Sequence, residues 1–109
     1  MLDAHQKRRY ERVKGPFTGR HLGPGKTHVL IYDLSLGGGF VRFTGEPPEG
    51  STLKLKIKLP QEGPVTLNAE KVYSHEAGWP VRFVDVNVDT AVRLARTVDA
   101  LKQRSSLQS

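Results

Sequence analysis

The sequence predicts a small, mostly β-sheet domain of the barrel or sandwich type that ends in an α-helix. Short strand-like segments separated by Gly- and Pro-rich turns run from residue 27 to residue 84. One of these segments alternates apolar and polar residues without error, and after residue 87 the apolar period changes to three and four residues. Short strands at this spacing are typical of barrels and sandwiches. A chain of 109 residues has room for one compact domain.

The first two predicted strands form a hairpin. Thr27 to Tyr32 is an apolar run that contains β-branched residues, and Phe40 to Phe43 is a second one. The intervening segment is rich in glycine, which favours a turn. We therefore expect two antiparallel strands joined by this Gly-rich turn.

The strand from Leu53 to Leu59 has the clearest pattern. Its four apolar residues occupy alternate positions and should face a core, whereas its three lysines should face water. Pro- and Gly-containing turns at residues 47–50 and 60–64 bracket it. Val65 to His75 and Trp79 to Val84 supply two more extended segments.

A closing helix of about four turns is predicted over residues 88–104. Asn87 or Asp89 can provide its N-cap. We expect its apolar stripe to close one side of the barrel or, alternatively, to pack against a second copy of the chain in a homodimer. Residues 105–109 are predicted to form a tail. The stripe consists of Val88, Ala91, Val92, Ala95, Val98 and Leu101.

Composition and charge narrow the function classes. The formal net charge of +6 predicts anionic partners, and many cations cluster before residue 21. The sequence has no apolar run of about 18 residues that predicts a membrane-spanning helix. It has no cysteine for thiolate sites, and its four histidines lack the spacing of a metal site. Since no apolar leader is visible, we expect a cytoplasmic protein. The clustered cations are Lys7, Arg8, Arg9, Arg12, Lys14 and Arg20.

The first candidate motif is the arginine pair Arg8 and Arg12, spaced R-x-x-x-R. A guanidinium offers a planar fork of donors that suits phosphate oxygens and the O6 and N7 edge of guanine. Two such forks could clamp a guanine nucleotide. The alternative is an ordinary solvated basic tail.

The second candidate motif runs from Asp33 through Ser35 to the glycines Gly37, Gly38 and Gly39. A carboxylate can accept hydrogen bonds from guanine N1 and N2, the serine adds a hydroxyl, and glycines permit close approach of a flat ligand. The alternative is a plain β-turn, in which Asp33 and Ser35 bond their own backbone and the glycines supply positive φ.

Together, R-x-x-x-R and D-x-S-x-x-G make the chain resemble the PilZ domain family of bacterial receptors over residues 7–104. The resemblance implies a six-stranded antiparallel β-barrel with a C-terminal α-helix. It divides the chain into a flexible arginine arm over 1–12, a barrel over 13–86 and a helix over 88–104. Arg8 and Arg12 match the arginine pair, and Asp33, Ser35 and Gly38 match the turn motif.

The resemblance implies that the arm folds over cyclic di-GMP, a bacterial second messenger, held against the hairpin turn. Lys7 precedes the arginine pair and favours an intercalated ligand dimer over one ligand. Arg9 is either a phosphate contact or exposed. Arg82 alternates with Val81 and Phe83, and it could also face this surface. The expected ligand-binding residues are Lys7, Arg8, Arg9, Arg12, Asp33, Ser35, Gly37 and Gly38.

We therefore expect a receptor that needs no cofactor, catalyses no reaction, changes conformation on binding and signals to a downstream partner protein. One alternative is a basic nucleic-acid-binding barrel, which the low aromatic content of 7% disfavours. A second is a PilZ-like adaptor that does not bind the nucleotide. An enzyme is not expected because no nucleophile–base pair is visible. The P-loop-like residues 23–27 lack the required glycine, since Arg20 occupies its position.

Overall fold

The computed structural model describes residues 11–23, 27–73 and 78–108, and these form six strands and one helix. The strands close into an antiparallel barrel in the order β1–β2–β3–β6–β5–β4. The predicted six-stranded barrel with a C-terminal helix is thus confirmed. The elements are β1 Val13–His21, β2 His28–Leu34, β3 Gly38–Phe43, β4 Thr52–Leu59, β5 Gly63–Lys71, β6 Trp79–Val84 and α1 Val88–Gln108.

The hydrophobic core fills the inside of the barrel. Leu53, Leu55, Ile57 and Leu59 of β4 are buried, and the lysines between them are exposed, as the alternation predicted. The strand β6 has the predicted bounds, whereas β5 ends at Lys71 rather than at His75. Its register with β6 ends at Lys71, followed by one backbone hydrogen bond from the Val72 amide to the Pro80 carbonyl at 2.9 Å. Residues 74–77 lie outside the described part of the chain.

The strand β1 had no clear signal in the sequence. It contains Gly15, Pro16 and Gly19, which are poor strand formers, and a register shift between Lys14 and Phe17 interrupts its pairing with β2. Its buried residues are Val13, Phe17 and His21, at intervals of four, because glycines occupy the alternate positions between them. This spacing hides the two-residue period by which a strand is recognised.

The helix α1 packs on the barrel through a face that overlaps the predicted stripe only in part, at Val98 and Leu101. Leu94 is fully buried and Val98 joins the same core, whereas Val88 is 79% exposed. Thr97 takes a buried position because its hydroxyl donates to the Arg93 carbonyl at 2.9 Å. Counting apolar residues alone therefore placed the stripe at the wrong angle around the helix.

The start and end of α1 are also defined. The Asn87 Oδ1 accepts a hydrogen bond from the Thr90 amide at 2.8 Å, which makes Asn87 rather than Asp89 the N-cap. The helix runs to Gln108, past the predicted end at residue 104, because no glycine or proline interrupts it. It contacts β1 and β5, so the interpretation that it closes one side of the barrel is correct. In the described residues no helix has the length and apolarity to cross a membrane.

Candidate functional site

The candidate site lies where the start of β1 meets the end of β2. The two strands are antiparallel, with Val13 opposite Leu34 and Lys14 opposite Asp33. Arg12, one residue before β1, therefore comes next to the β2–β3 turn although it is 21 residues from Asp33 in sequence. The fold thus brings parts of both predicted motifs together.

Arg12 and Asp33 form an ion pair, with 2.8 Å between Arg12 Nη1 and Asp33 Oδ1. Their side chains are 40% and 30% exposed, respectively, so solvent reaches both groups. An exposed ion pair of this kind stabilises a fold by about 0–1 kcal/mol. The pair can therefore open without a large loss of stability, and both groups are accessible to a ligand.

A register shift in β2 turns the Asp33 side chain outward. Ile31 pairs with Val41 and Asp33 pairs with Phe40, so Tyr32 is an extra residue on β2 relative to β3. Ile31 and Leu34 are both fully buried, whereas Tyr32 and Asp33 between them reach solvent. The bulge thus places a carboxylate at the surface inside an otherwise apolar strand.

Ser35 holds the β2–β3 turn. Its Oγ accepts hydrogen bonds from the Gly37 amide at 3.1 Å and the Gly38 amide at 3.2 Å, and it donates to the Gly38 carbonyl at 3.2 Å. The residue is only 5% exposed. Since a hydroxyl has one donor and two acceptor sites, its capacity is filled within the turn. The turn interpretation is therefore correct for Ser35 in this structure.

The glycines of the motif are required by close strand packing. A Cβ at Gly38 would lie 2.1 Å from the Val81 carbonyl oxygen, and one at Gly39 would lie 2.5 Å from the Asp33 carbonyl oxygen. Both residues belong to β3, and neither has a positive φ. The expectation that these glycines supply positive φ is thus wrong, because they instead let neighbouring backbones approach.

Arg82 lies across β3 from this turn. It pairs in register with Gly38, and its Nη2 is 2.5 Å from Oε1 of Glu70. The Arg82 side chain is exposed. The alternation along β6 had indicated that the Arg82 side chain points outward. Its position beside Gly38 follows only from the pairing of β6 with β3. The surface around the turn is therefore flanked by arginines on two sides, Arg12 and Arg82.

The segment before Arg12 is tied to α1. Glu11 forms an ion pair with Lys102, and this hydrogen bond to the carboxylate raises the pKa of Lys102 above its usual value. Adjacent residues thus bind two elements: Glu11 contacts the helix and Arg12 contacts β2. The predicted site residues Lys7, Arg8 and Arg9 lie outside the described residues.

The site offers hydrogen-bonding and charged groups rather than metal ligands. Its described side chains are the Asp33 carboxylate and the guanidinium groups of Arg12 and Arg82, the second of which is paired with Glu70. These groups suit a ligand that carries both anionic groups and hydrogen-bond donors. Across residues 11–23, 27–73 and 78–108, no three His, Cys, Asp or Glu side chains come together as a metal site would require.

Comparison with known proteins gives a family and a fold. A family model of the PilZ domain matches residues 6–100. No curated protein matches the sequence significantly. Among solved structures, the chain is similar to the PilZ domain with cyclic di-GMP of YcgR from Escherichia coli. The identity is 21%, the TM-score is 0.70, and the match covers 94% of this chain and 97% of that one.

Two longer structures share the same fold. YcgR from Escherichia coli in complex with cyclic di-GMP has 23% identity and a TM-score of 0.73, with coverage of 94% of this chain and 49% of that one. The Bacillus subtilis inhibitor of motility, MotI/DgrA, has 17% identity and a TM-score of 0.70, with 95% and 53% covered. This chain thus spans about half the length of each.

Proposed function

The chain belongs to the PilZ domain family, and we propose that it is a receptor that binds cyclic di-GMP, catalyses no reaction and signals to a partner protein. The observation that carries this proposal is the solvent-accessible ion pair of Arg12 and Asp33 beside the β2–β3 turn. Two structurally similar chains from Escherichia coli contain this nucleotide.

The chemistry of the pair suits the proposed ligand. Cyclic di-GMP carries guanine bases, whose N1 and N2 groups donate hydrogen bonds, and anionic phosphates. Asp33 can accept from the guanine donors, and Arg12 can bind a phosphate or the O6 and N7 edge. Each group has an opposite charge or a matching donor in the same small ligand.

The neighbouring strand adds an exposed cation beside the pair. Arg82 of β6 pairs in register with Gly38, and its side chain is exposed. We therefore propose a ligand site formed by the predicted residues together with Arg82. In this proposal Ser35 acts chiefly by holding the turn that presents Asp33, since its hydroxyl is already bonded.

Binding would exchange one set of contacts for another. Opening the exposed Arg12–Asp33 pair costs about 0–1 kcal/mol, whereas each charge-assisted hydrogen bond to the ligand contributes about 1.5–3 kcal/mol. The exchange is favourable if the ligand satisfies both side chains. Arg8, with Lys7 and Arg9 beside it, would close over the phosphates from the same segment.

Ligand binding at Arg12 would change the contact between the preceding residue, Glu11, and the helix α1. Glu11 contacts Lys102 of α1, and a movement of Arg12 toward the ligand would pull Glu11 away from that lysine. The charge pattern at the junction of the arm and α1 would then change. We propose that a downstream partner protein recognises this change.

Calorimetric titration of the chain with cyclic di-GMP, GTP and a single-stranded oligonucleotide tests the proposal. We expect a dissociation constant in the micromolar range or below for cyclic di-GMP, about −8 kcal/mol or better, and far weaker binding of GTP. The stoichiometry distinguishes one ligand from the dimer that Lys7 favours. Heat with the oligonucleotide alone would support the nucleic-acid alternative, and no heat with any ligand would support an adaptor.

The arginine variants locate the interaction. Arg12→Ala should reduce the affinity about ten- to a hundredfold, or roughly 1.5–3 kcal/mol, with little loss of fold stability. Arg96→Ala is the matched control, because Arg96 is also an exposed arginine in an ion pair, here with Glu62 at 3.6 Å. Equal affinities of the two variants would contradict the assigned role of Arg12.

A further inference from the structure

A second basic surface lies on the barrel away from the Arg12–Asp33 pair. A groove of about 470 Å³ runs over the outer side of β1 and β4 and contains none of the described residues of the proposed nucleotide site. Most of its polar lining is cationic. The lining residues are Thr18, Gly19, Arg20, His28, Lys56, Lys58 and Pro64.

Strand pairing places the cations of this groove in rows. Arg20 of β1 lies opposite Lys56 of β4 on one side and opposite His28 of β2 on the other. Neighbouring strands are about 4.8 Å apart. Lys58 lies about 6.8 Å along β4 from Lys56. Lys54 continues the row on the other side of Lys56, beyond the groove lining, and all three lysines are exposed.

These cations lack the counter-charges that a purely structural surface would use. Lys54, Lys56 and Lys58 face Asn68, Thr66 and Pro64 of β5, and none of those residues is charged. Within the ranges that the structure describes, the ion pairs involve other basic residues and leave Arg20 and these lysines without a carboxylate within 4.0 Å. Like charges opposite each other destabilise a sheet. An external anion would relieve this repulsion.

We propose that this groove binds an extended acidic segment of a partner protein through carboxylates at alternate residues. In an extended chain, alternate side chains on one face repeat at about 6.8 Å, which equals the repeat of Lys54, Lys56 and Lys58. Both edges of β4 are already paired in the closed barrel, so recognition uses side chains rather than strand addition.

Other anionic partners fit the groove less well. Among the described residues no Phe, Tyr or Trp lines it, so it lacks the large stacking platform of single-stranded nucleic-acid binders. A concave groove without large apolar side chains also lacks the apolar contacts that interfacial membrane binding uses. A lysine is a compact point charge, which suits a single carboxylate. The surface shares no described residue with the nucleotide site, so this inference goes beyond the proposed function.

Fluorescence anisotropy with a labelled peptide of alternating glutamate and threonine tests the inference in the absence of nucleotide. Lys56→Glu should weaken binding by at least about tenfold. The matched control is Arg42→Glu, because Arg42 is exposed on β3, lies outside the groove and gives the same change in net charge. This control should weaken binding less than about twofold.

The outcomes separate the alternatives. Equal weakening by both variants would overturn the inference, because only net charge would then matter. Tighter binding of a single-stranded oligonucleotide or an anionic lipid vesicle than of the peptide would overturn it as well. If Lys56→Glu fails to fold, amide chemical shifts of the wild-type chain decide: saturating changes at residues 18–20 and 54–58 support the groove, and their absence refutes it. None of these results depends on cyclic di-GMP binding.

Discussion

Replacing Ser35 with alanine should destabilise the fold through the β2–β3 turn. The Ser35 hydroxyl accepts from the Gly37 and Gly38 amides and donates to the Gly38 carbonyl, in a position that is 5% exposed. The Gly38 carbonyl would keep its 2.8 Å bond from the Ser35 amide. The loss therefore concerns mainly the two glycine amides.

The magnitude follows from the burial of those amides. The bond to the Gly38 amide is buried, and a buried donor without a partner costs about 1–3 kcal/mol. The bond to the Gly37 amide is only partly buried, so water replaces part of it at a net cost of about 0.5–1.5 kcal/mol. We expect a total loss of about 1.5–4.5 kcal/mol in the free energy of unfolding.

Urea unfolding of the wild type and Ser35→Ala measures this loss. Ser51→Ala is the control, because Ser51 is exposed and we expect a change within about 0.5 kcal/mol. A Ser35→Ala variant as stable as the control would refute the structural role of the hydroxyl. If that variant also lost cyclic di-GMP binding, Ser35 would act on the ligand directly.

Three other substitutions test the site and the packing. Asp33→Asn should lower the affinity for cyclic di-GMP by at least about tenfold while changing stability by less than about 1 kcal/mol, measured by calorimetry and urea unfolding. Gly38→Ala should lower the free energy of unfolding by about 1–3 kcal/mol, because its Cβ would lie 2.1 Å from a carbonyl oxygen. Gly45→Ala is the control and should fold normally, because a Cβ there meets only a methyl group at 3.8 Å. Leu94→Ala should lower the free energy of unfolding by about 2–5 kcal/mol, and Val92→Ala, at an exposed position, by less than about 1 kcal/mol, in thermal or urea unfolding. The reverse order would contradict the observed burial of Leu94 and exposure of Val92 on α1.

The strands that could be predicted are those whose side chains alternate between core and water. The segment from Leu53 to Leu59 follows this rule in every position, so the two-residue period alone was sufficient to predict the strand. The strand β1 could not be recognised, since Gly15 and Gly19 occupy the alternate positions between its buried residues and supply no apolar side chain there. The helix was predicted, but Thr97 buries a satisfied hydroxyl, which hydrophobicity alone does not reveal.

The site could be predicted only in part. The two motifs identified Arg12 and Asp33 separately, but their contact depends on strand register, and bulges in β1 and β2 set that register. The role of Gly38 depends on the approach of Val81 from a strand more than 40 residues away. The sequence alone does not show which distant residues come into contact. The position of Arg82 beside Gly38 likewise follows from the pairing of β3 with β6.

Amide-resolved nuclear magnetic resonance titration with cyclic di-GMP tests the central claim most directly, because it reports both binding and location. The receptor proposal predicts saturable shifts at residues 12–14, 33–39 and 81–82, and their loss in the Asp33→Asn variant. The amides of β4, which lies outside the proposed site, should change little. Shifts confined to residues 18–20 and 54–58, or no saturable shifts at all, would contradict the claim that this chain binds cyclic di-GMP at the Arg12–Asp33 surface.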